Sequence, residues 1–177
     1  MAELPLPMDH SAMSAPLERV VLLQHPKVPA SWQMMSDLRD RIQSYGVQVV
    51  TGSVWDRAEL EQMLPGADLC ITLGGDGSML RAARVAAPHG VPILGINLGK
   101  LGFLAELEPR HVAERLPAIL KGQYWIEERM MLVAELQRQG KVIAVQGCLN
   151  EVVVARRHLS RVIRVETHID GYHLTTY

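Results

Sequence analysis

Between Leu17 and Ile96 the chain alternates unbroken apolar runs with stretches in which apolar residues recur every three or four positions. Val20-Val21-Leu22-Leu23 is apolar throughout, as in a parallel strand buried on both faces. Trp32, Met35, Leu38, Ile42 and Tyr45 then mark one face of a helix that Gly46 can terminate. Val47–Val50 predicts a second strand. Asp56 followed by Glu59 is a capping-box pattern, opening a short helix with Leu60, Met63 and Leu64 inside and Pro65-Gly66 at its end. Leu69–Leu73 is a third apolar strand, Ser78–Ala87 a helix stopped by Pro88 and Gly90, and Ile93–Ile96 a fourth strand. Strand and helix in this rhythm predict right-handed crossovers onto a parallel sheet.

The pattern changes after residue 100. A helix over 110–120, opened by Pro109 and interrupted by Pro117, is followed by strand and turn signals. Met130–Leu136 and Val142–Val145 flank the hairpin dipeptide Gln139-Gly140, and Val152-Val153-Val154 is β-branched. Ile163, Val165 and Ile169 alternate with polar residues before a second turn dipeptide, Asp170-Gly171. The fold class expected is α/β: a parallel-sheet, Rossmann-like N-terminal domain followed by the start of an all-β, antiparallel domain. Its divisions are a disordered tail over 1–16, an α/β domain over 17–105, and an incomplete β-rich domain over 106–177.

Composition narrows the function. The 177 residues are 48% hydrophobic and 21% charged, enough for a packed core without staples. A net charge of −1 supplies no field for nucleic acid or anionic membrane. Cys70 and Cys148 lie in apolar stretches without a metal or redox spacing, as buried reduced thiols in a cytoplasmic protein. No apolar run approaches the ~18 residues of a membrane span. The histidines show no metal spacing, so no metal site is assigned, and the Met and Trp residues are expected in the core.

Three segments carry candidate chemistry. Gly74-Gly75-Asp76-Gly77-Ser78 joins the third strand to a helix, at the strand end where parallel sheets bind ligands. Its glycines admit a phosphate to backbone N–H groups at a helix N-terminus, while the Asp76 carboxylate would accept a proton from, or orient, an attacking hydroxyl. A tight turn with an N-cap Asp is the plainer alternative. Gly95-Ile96-Asn97-Leu98-Gly99-Lys100-Leu101-Gly102-Phe103 leaves the fourth strand at the same edge, with glycines for close approach and Asn97 and Lys100 to meet phosphate; a linker is its alternative. Asn150-Glu151, before Val152–Val154, offers an amide and a carboxylate to a ribose or base edge, or is merely polar. Arg156-Arg157-His158 with Arg161 is a solvated loop or a polyphosphate partner, and Arg81 follows the glycine loop on its helix.

Together these segments resemble the NAD kinase family: Leu73 to Arg84, Gly95 to Leu104, and Leu149-Asn150-Glu151-Val152-Val153, in matching order. The first motif is shared with lipid kinases and phosphofructokinases; the Asn97–Phe103 segment is more specific. The resemblance implies transfer of the ATP γ-phosphoryl to the 2′-hydroxyl of the adenosine ribose of NAD, giving NADP. It implies Asp76 as the catalytic carboxylate, with Gly77 contacting the dinucleotide beside it; Gly74, Gly75 and Asn97 join them in the nucleotide site from the reading of the loops themselves. Asn150 and Glu151 would bind NAD, and Arg81 and Arg161 would be further contacts. Mg²⁺ would arrive on ATP. The partners implied are NAD and ATP, with a homo-oligomer in the full-length form. The family continues with a Thr-Gly-Ser-Thr-Ala-Tyr motif beyond the point reached by Tyr177, so this chain is expected to represent an N-terminal part. A catalytically silent nucleotide-binding fragment, and a lipid or sugar kinase sharing the glycine loop, are the alternatives.

Overall fold

The structure is a computed structural model that describes residues 15–99, 102, 104–156 and 162–177. Most of the tail expected over 1–16, and Lys100 and Arg161, lie outside the described residues. Four parallel strands, β1 (Arg19–Gln24), β2 (Gln48–Ser53), β3 (Leu69–Gly74) and β4 (Ile93–Asn97), form one sheet in the order β2-β1-β3-β4. The apolar runs read in the sequence are these strands. Helices α1 (Pro29–Ser44), α2 (Arg57–Met63) and α3 (Asp76–Ala86) make the crossovers, and α4 (Pro109–Leu120) follows β4.

Alternation along the strands feeds two cores. Val20 and Leu22 of β1, with Leu69, Ile71 and Leu73 of β3, face Leu38 and Ile42 of α1 and Val112, Leu116 and Leu120 of α4. Val21, Leu23 and Cys70 face the other way, onto Leu60 and Leu64 around α2 and Ala82, Val85 and Ala86 of α3. Of the face predicted for α1, Leu38 and Ile42 are buried while Trp32 and Tyr45 at its ends are exposed. All three tryptophans, Trp32, Trp55 and Trp125, lie at the surface and not in the core where the sequence reading put them.

Helix ends follow local chemistry. Asp56 caps α2, its Oδ1 accepting from the Glu59 N–H at 3.0 Å. Gly46 and Gly66 end α1 and α2 with φ of 80° and 74°. Helix α4 runs through Pro117. An interior proline costs roughly 3 kcal/mol, and burying Val112, Leu116 and Leu120 at roughly 1.5–3 kcal/mol each outweighs it. Since α4 packs into the first core, and the Leu17 N–H bonds the Leu120 carbonyl at 3.0 Å, that core extends past the boundary expected at residue 105.

Two antiparallel hairpins follow: β5 (Leu132–Arg138) with β6 (Lys141–Cys148), and β7 (Glu166–Ile169) with β8 (Tyr172–Thr176). The turns fall at the predicted dipeptides, with positive φ at Gln139 and Gly140 and at Asp170 and Gly171. Val152–Val154 is not a strand; the residues are exposed and pair with no described strand, and β-branched side chains alone do not supply a ladder. The strand expected from Ile163 begins only at Glu166, although the Val165 and Tyr177 backbones exchange hydrogen bonds beyond it. Among the described residues no helix is long and apolar enough to cross a membrane.

Candidate active site at the carboxyl edge of the parallel sheet

Strands β3 and β4 end on one rung of the sheet, where Gly74 and Asn97 are register partners. The Leu98 N–H bonds the Gly74 carbonyl at 3.1 Å, so both loops leave the sheet together. Gly75 is extended, at φ −107° and ψ −166°, and its carbonyl accepts from Ser78 N–H at 2.9 Å. Helix α3 therefore starts at Asp76, two residues before the predicted Ser78. Its carboxylate stands in the first turn, where the helix dipole favours negative charge.

The segment after β4 is fastened at several points rather than being an open linker. The buried Asn97 side chain accepts from Gly99 N–H through Oδ1 at 3.0 Å. Asp76 Oδ1 accepts from the Leu104 N–H at 3.1 Å. The chain then returns alongside β4, Asn97 N–H bonding the Leu107 carbonyl at 2.8 Å and Leu107 N–H the Gly95 carbonyl at 3.1 Å.

The glycines divide by what they make room for. A Cβ on Gly102 would fall on the Asp76 carboxylate, and one on Gly74 against the Ser78 hydroxyl. One on Gly95 would lie 2.7 Å from Met79 Sδ and 2.9 Å from Ala105 Cα. These three admit protein atoms, whereas the sequence reading had the glycines admitting a ligand. Gly75 and Gly77 face open space and suit that reading.

On the β1 and β2 side of the same edge stands a group the sequence reading missed. Trp55, just after β2, meets the His25 ring edge-on at 5.5 Å between centroids. Lys27 Nζ lies 4.5 Å and Arg81 Cζ 5.1 Å from the centroid of its indole. Arg81 was singled out in the sequence, but His25, Lys27 and Trp55 were not. The available signal was position, because His25 directly follows β1 and Trp55 lies two residues past β2, both at strand carboxyl ends.

Gly74, Gly75, Asp76, Gly77 and Asn97 are thus brought together, with Arg81 farther along α3 and turned to Trp55. Asn150 and Glu151 are exposed beyond β6 and make no hydrogen bond to that group among the described residues. Leu149, next to them, shares with Leu104 and Met79 the wall of an apolar cavity of about 290 Å³. Among the described residues no cluster of three or more His, Cys, Asp or Glu is placed to hold a metal ion.

A doubly wound parallel sheet with a glycine loop opening a helix at its carboxyl edge defines a Rossmann-like α/β protein. Comparison with known proteins narrows the class. The family model for the ATP-NAD kinase N-terminal domain matches residues 17–124, and the chain belongs to that family. It is 38% identical over 161 residues to an NAD kinase of Chloroflexus aggregans, covering 91% of this chain and 58% of that protein. It is 51% identical over 111 residues to an NAD kinase of Natranaerobius thermophilus, covering 63% of this chain and 39% of the relative. The chain thus spans little more than half the length of such relatives. A crystal structure of yeast NADH kinase complexed with NADH shares the fold, with a TM-score of 0.76 at 23% identity, covering 91% of this chain and 55% of that one.

Proposed function

We propose that the chain carries the phosphoryl-transfer part of an NAD kinase, which moves the γ-phosphoryl of MgATP to the 2′-hydroxyl of the adenosine ribose of NAD and yields NADP. The observation that carries this reading is the Asp76 carboxylate, steadied by the Leu104 N–H beside open Gly75 and Gly77. Asp76 accepts or orients the proton of the attacking 2′-hydroxyl as the new O–P bond forms and the bond to the β-phosphate oxygen breaks. The backbone at Gly74, Gly75 and Gly77 lies against the phosphates, and Asn97 keeps its loop in place. Mg²⁺ enters as part of the MgATP substrate, held mainly by phosphate oxygens.

Asn150 and Glu151, beside the cavity that Leu149 and Leu104 share, bind NAD through its adenosine end in this reading, and Arg161 is a further contact. A homo-oligomeric full-length form in the cytoplasm belongs to the same reading. A second reading, a silent nucleotide-binding fragment, is favoured by the exposure of Asn150 and Glu151.

NADP formation from NAD, ATP and Mg²⁺, read with an NADP-specific dehydrogenase, tests both. An active chain that loses roughly 10²–10⁴-fold in rate on Asp76→Asn supports the kinase. Undiminished activity in Asp76→Asn overturns the role of Asp76. Inactivity of the unaltered chain favours the silent fragment.

A further inference from the structure

Hairpin β7–β8 shares no residue with the site at the sheet edge and carries chemistry of its own. Its two-residue turn at Asp170-Gly171 makes Ile169 and Tyr172 register partners and, behind them, His168 and His173. Residues directly opposite on antiparallel strands have Cβ atoms about 4.5–5.5 Å apart and share one face. The two imidazoles accordingly meet edge to face, with centroids 5.3 Å apart and planes at 73°. Both residues are exposed, so an ion in solution can reach them. Spacing along the chain conceals the pair, because positions five apart in one continuous strand point to opposite faces. The reversal at the turn brings them to the same face.

The ladder then changes register. A bulge between Thr167 and His168 leaves Leu174 without a register partner, so Thr176 and not Thr175 falls opposite Glu166. Thr176 thereby joins the histidine face, and its Oγ1 lies 3.1 Å from His173 Nε2. A hydroxyl on one ring nitrogen fixes the orientation of an imidazole and leaves the other nitrogen, here Nδ1, to a second partner.

The spacing of the rings suits one shared ion. Two imidazoles bound side by side to one ion at ~2.0–2.1 Å hold their centroids roughly 4.5–5 Å apart. The observed 5.3 Å is a small side-chain rotation away. Imidazole nitrogen suits Zn²⁺, Ni²⁺ and Cu²⁺, whereas Mg²⁺ and Ca²⁺ prefer oxygen. Among the described residues no third His, Cys, Asp or Glu completes a cage, so water takes the remaining positions. A two-stranded hairpin is marginal by itself, and an ion that ties one strand to the other favours the paired form by mass action.

We propose that His168 and His173 chelate a divalent d-block cation of the Zn²⁺ class across hairpin β7–β8, with Thr176 orienting His173. This site is distinct from the Mg²⁺ that accompanies a nucleotide, and it stands whether or not the chain is a kinase. Its effect is to clamp β7 to β8.

The test is calorimetric titration of the purified, untagged chain with ZnCl2, and with MgCl2 as the contrast. One Zn²⁺ should bind at this pair, and Mg²⁺ at about a hundredfold excess should not displace it. His168→Gln and His173→Gln should each weaken Zn²⁺ binding roughly tenfold or more, because each turns a chelate into a single ligand. The double variant should be little worse than either. Thr176→Val should weaken binding severalfold by releasing the His173 ring. His111→Gln, at an exposed position on α4, should change nothing. Amide exchange followed by NMR gives a second readout: Zn²⁺ should slow exchange over 166–169 and 172–176 in the unaltered chain and in neither histidine variant. An unchanged thermal transition in each variant shows that the fold persists. Failure to bind Zn²⁺ overturns the proposal, as does an affinity unmoved by both histidine variants. A loss confined to one of the two, or binding that leaves exchange in β7 and β8 unaltered, overturns the chelate as well.

Discussion

Val20–Leu23 of β1 and Val142–Val145 of β6 are both short runs of strand-forming apolar residues, yet they meet opposite fates. The first run is wholly buried, whereas Val142, Ile143 and Val145 are each about half exposed. Both runs join a backbone ladder, although Ile143 falls in a bulge and has no register partner. The difference is what covers the faces. Crossover helices must pack back onto a parallel sheet, so strand connectivity itself supplies both cores. A hairpin needs only its turn, and among the described residues β5–β6 and β7–β8 each pair as two strands. Local turn chemistry and residue type are enough to shape a hairpin, but burial has to come from the connectivity of the chain. The candidate site lies where connectivity has done that work.

The contrast is broken most directly by truncating equivalent residues. Leu22→Ala, in the centre of the sheet, should cost about 2–5 kcal/mol by urea denaturation, and Val133→Ala, on an exposed hairpin position, within roughly 0.5 kcal/mol. Equal losses would mean that the hairpin is packed as firmly as the sheet. A smaller effect comes from Cys70, whose thiol is pushed by burial from 9.0 up to about 12. The folded chain keeps that proton while the unfolded chain releases it above pH 9. The resulting stabilisation is complete below pH 9 and is lost as pH rises toward 12, at about 1.4 kcal/mol per pH unit. Urea midpoints at pH 8 and 10 for the unaltered chain and Cys70→Ala measure it; parallel slopes would refute it.

Smaller again are the ends of elements. Asp56→Ala removes the α2 cap and should lower global stability by about 1 kcal/mol. Gly140→Ala places a Cβ at φ 74°, a strain of about 1 kcal/mol. It should quicken amide exchange in β5 and β6 without moving the global transition. A global shift as large as that of Asp56→Ala would join the hairpin to the cooperative unit.

The strands and crossovers of the α/β half were legible because burial on two faces writes unbroken apolar runs, and both hairpin turns were legible because positive φ demands residues such as Gly140 and Gly171. The Gly74–Ser78 loop was legible as a place, but not its internal geometry. That Gly102 yields to Asp76, and Gly95 to Met79 and Ala105, depends on which segments the fold presses together. Periodicity also misjudged the tryptophans. Trp55 owes its position to the end of β2, and its meaning to Lys27 and Arg81, which approach from two other elements.

The hydrogen bond from the Leu104 N–H to Asp76 has a timing consequence. A carboxylate held by a backbone donor is oriented once, when the chain folds, and does not have to be found again among its rotamers whenever a hydroxyl arrives. Its direction is then inherited from the path of the loop between β4 and α4, so an alteration in that loop would re-aim Asp76 as surely as replacing the residue itself.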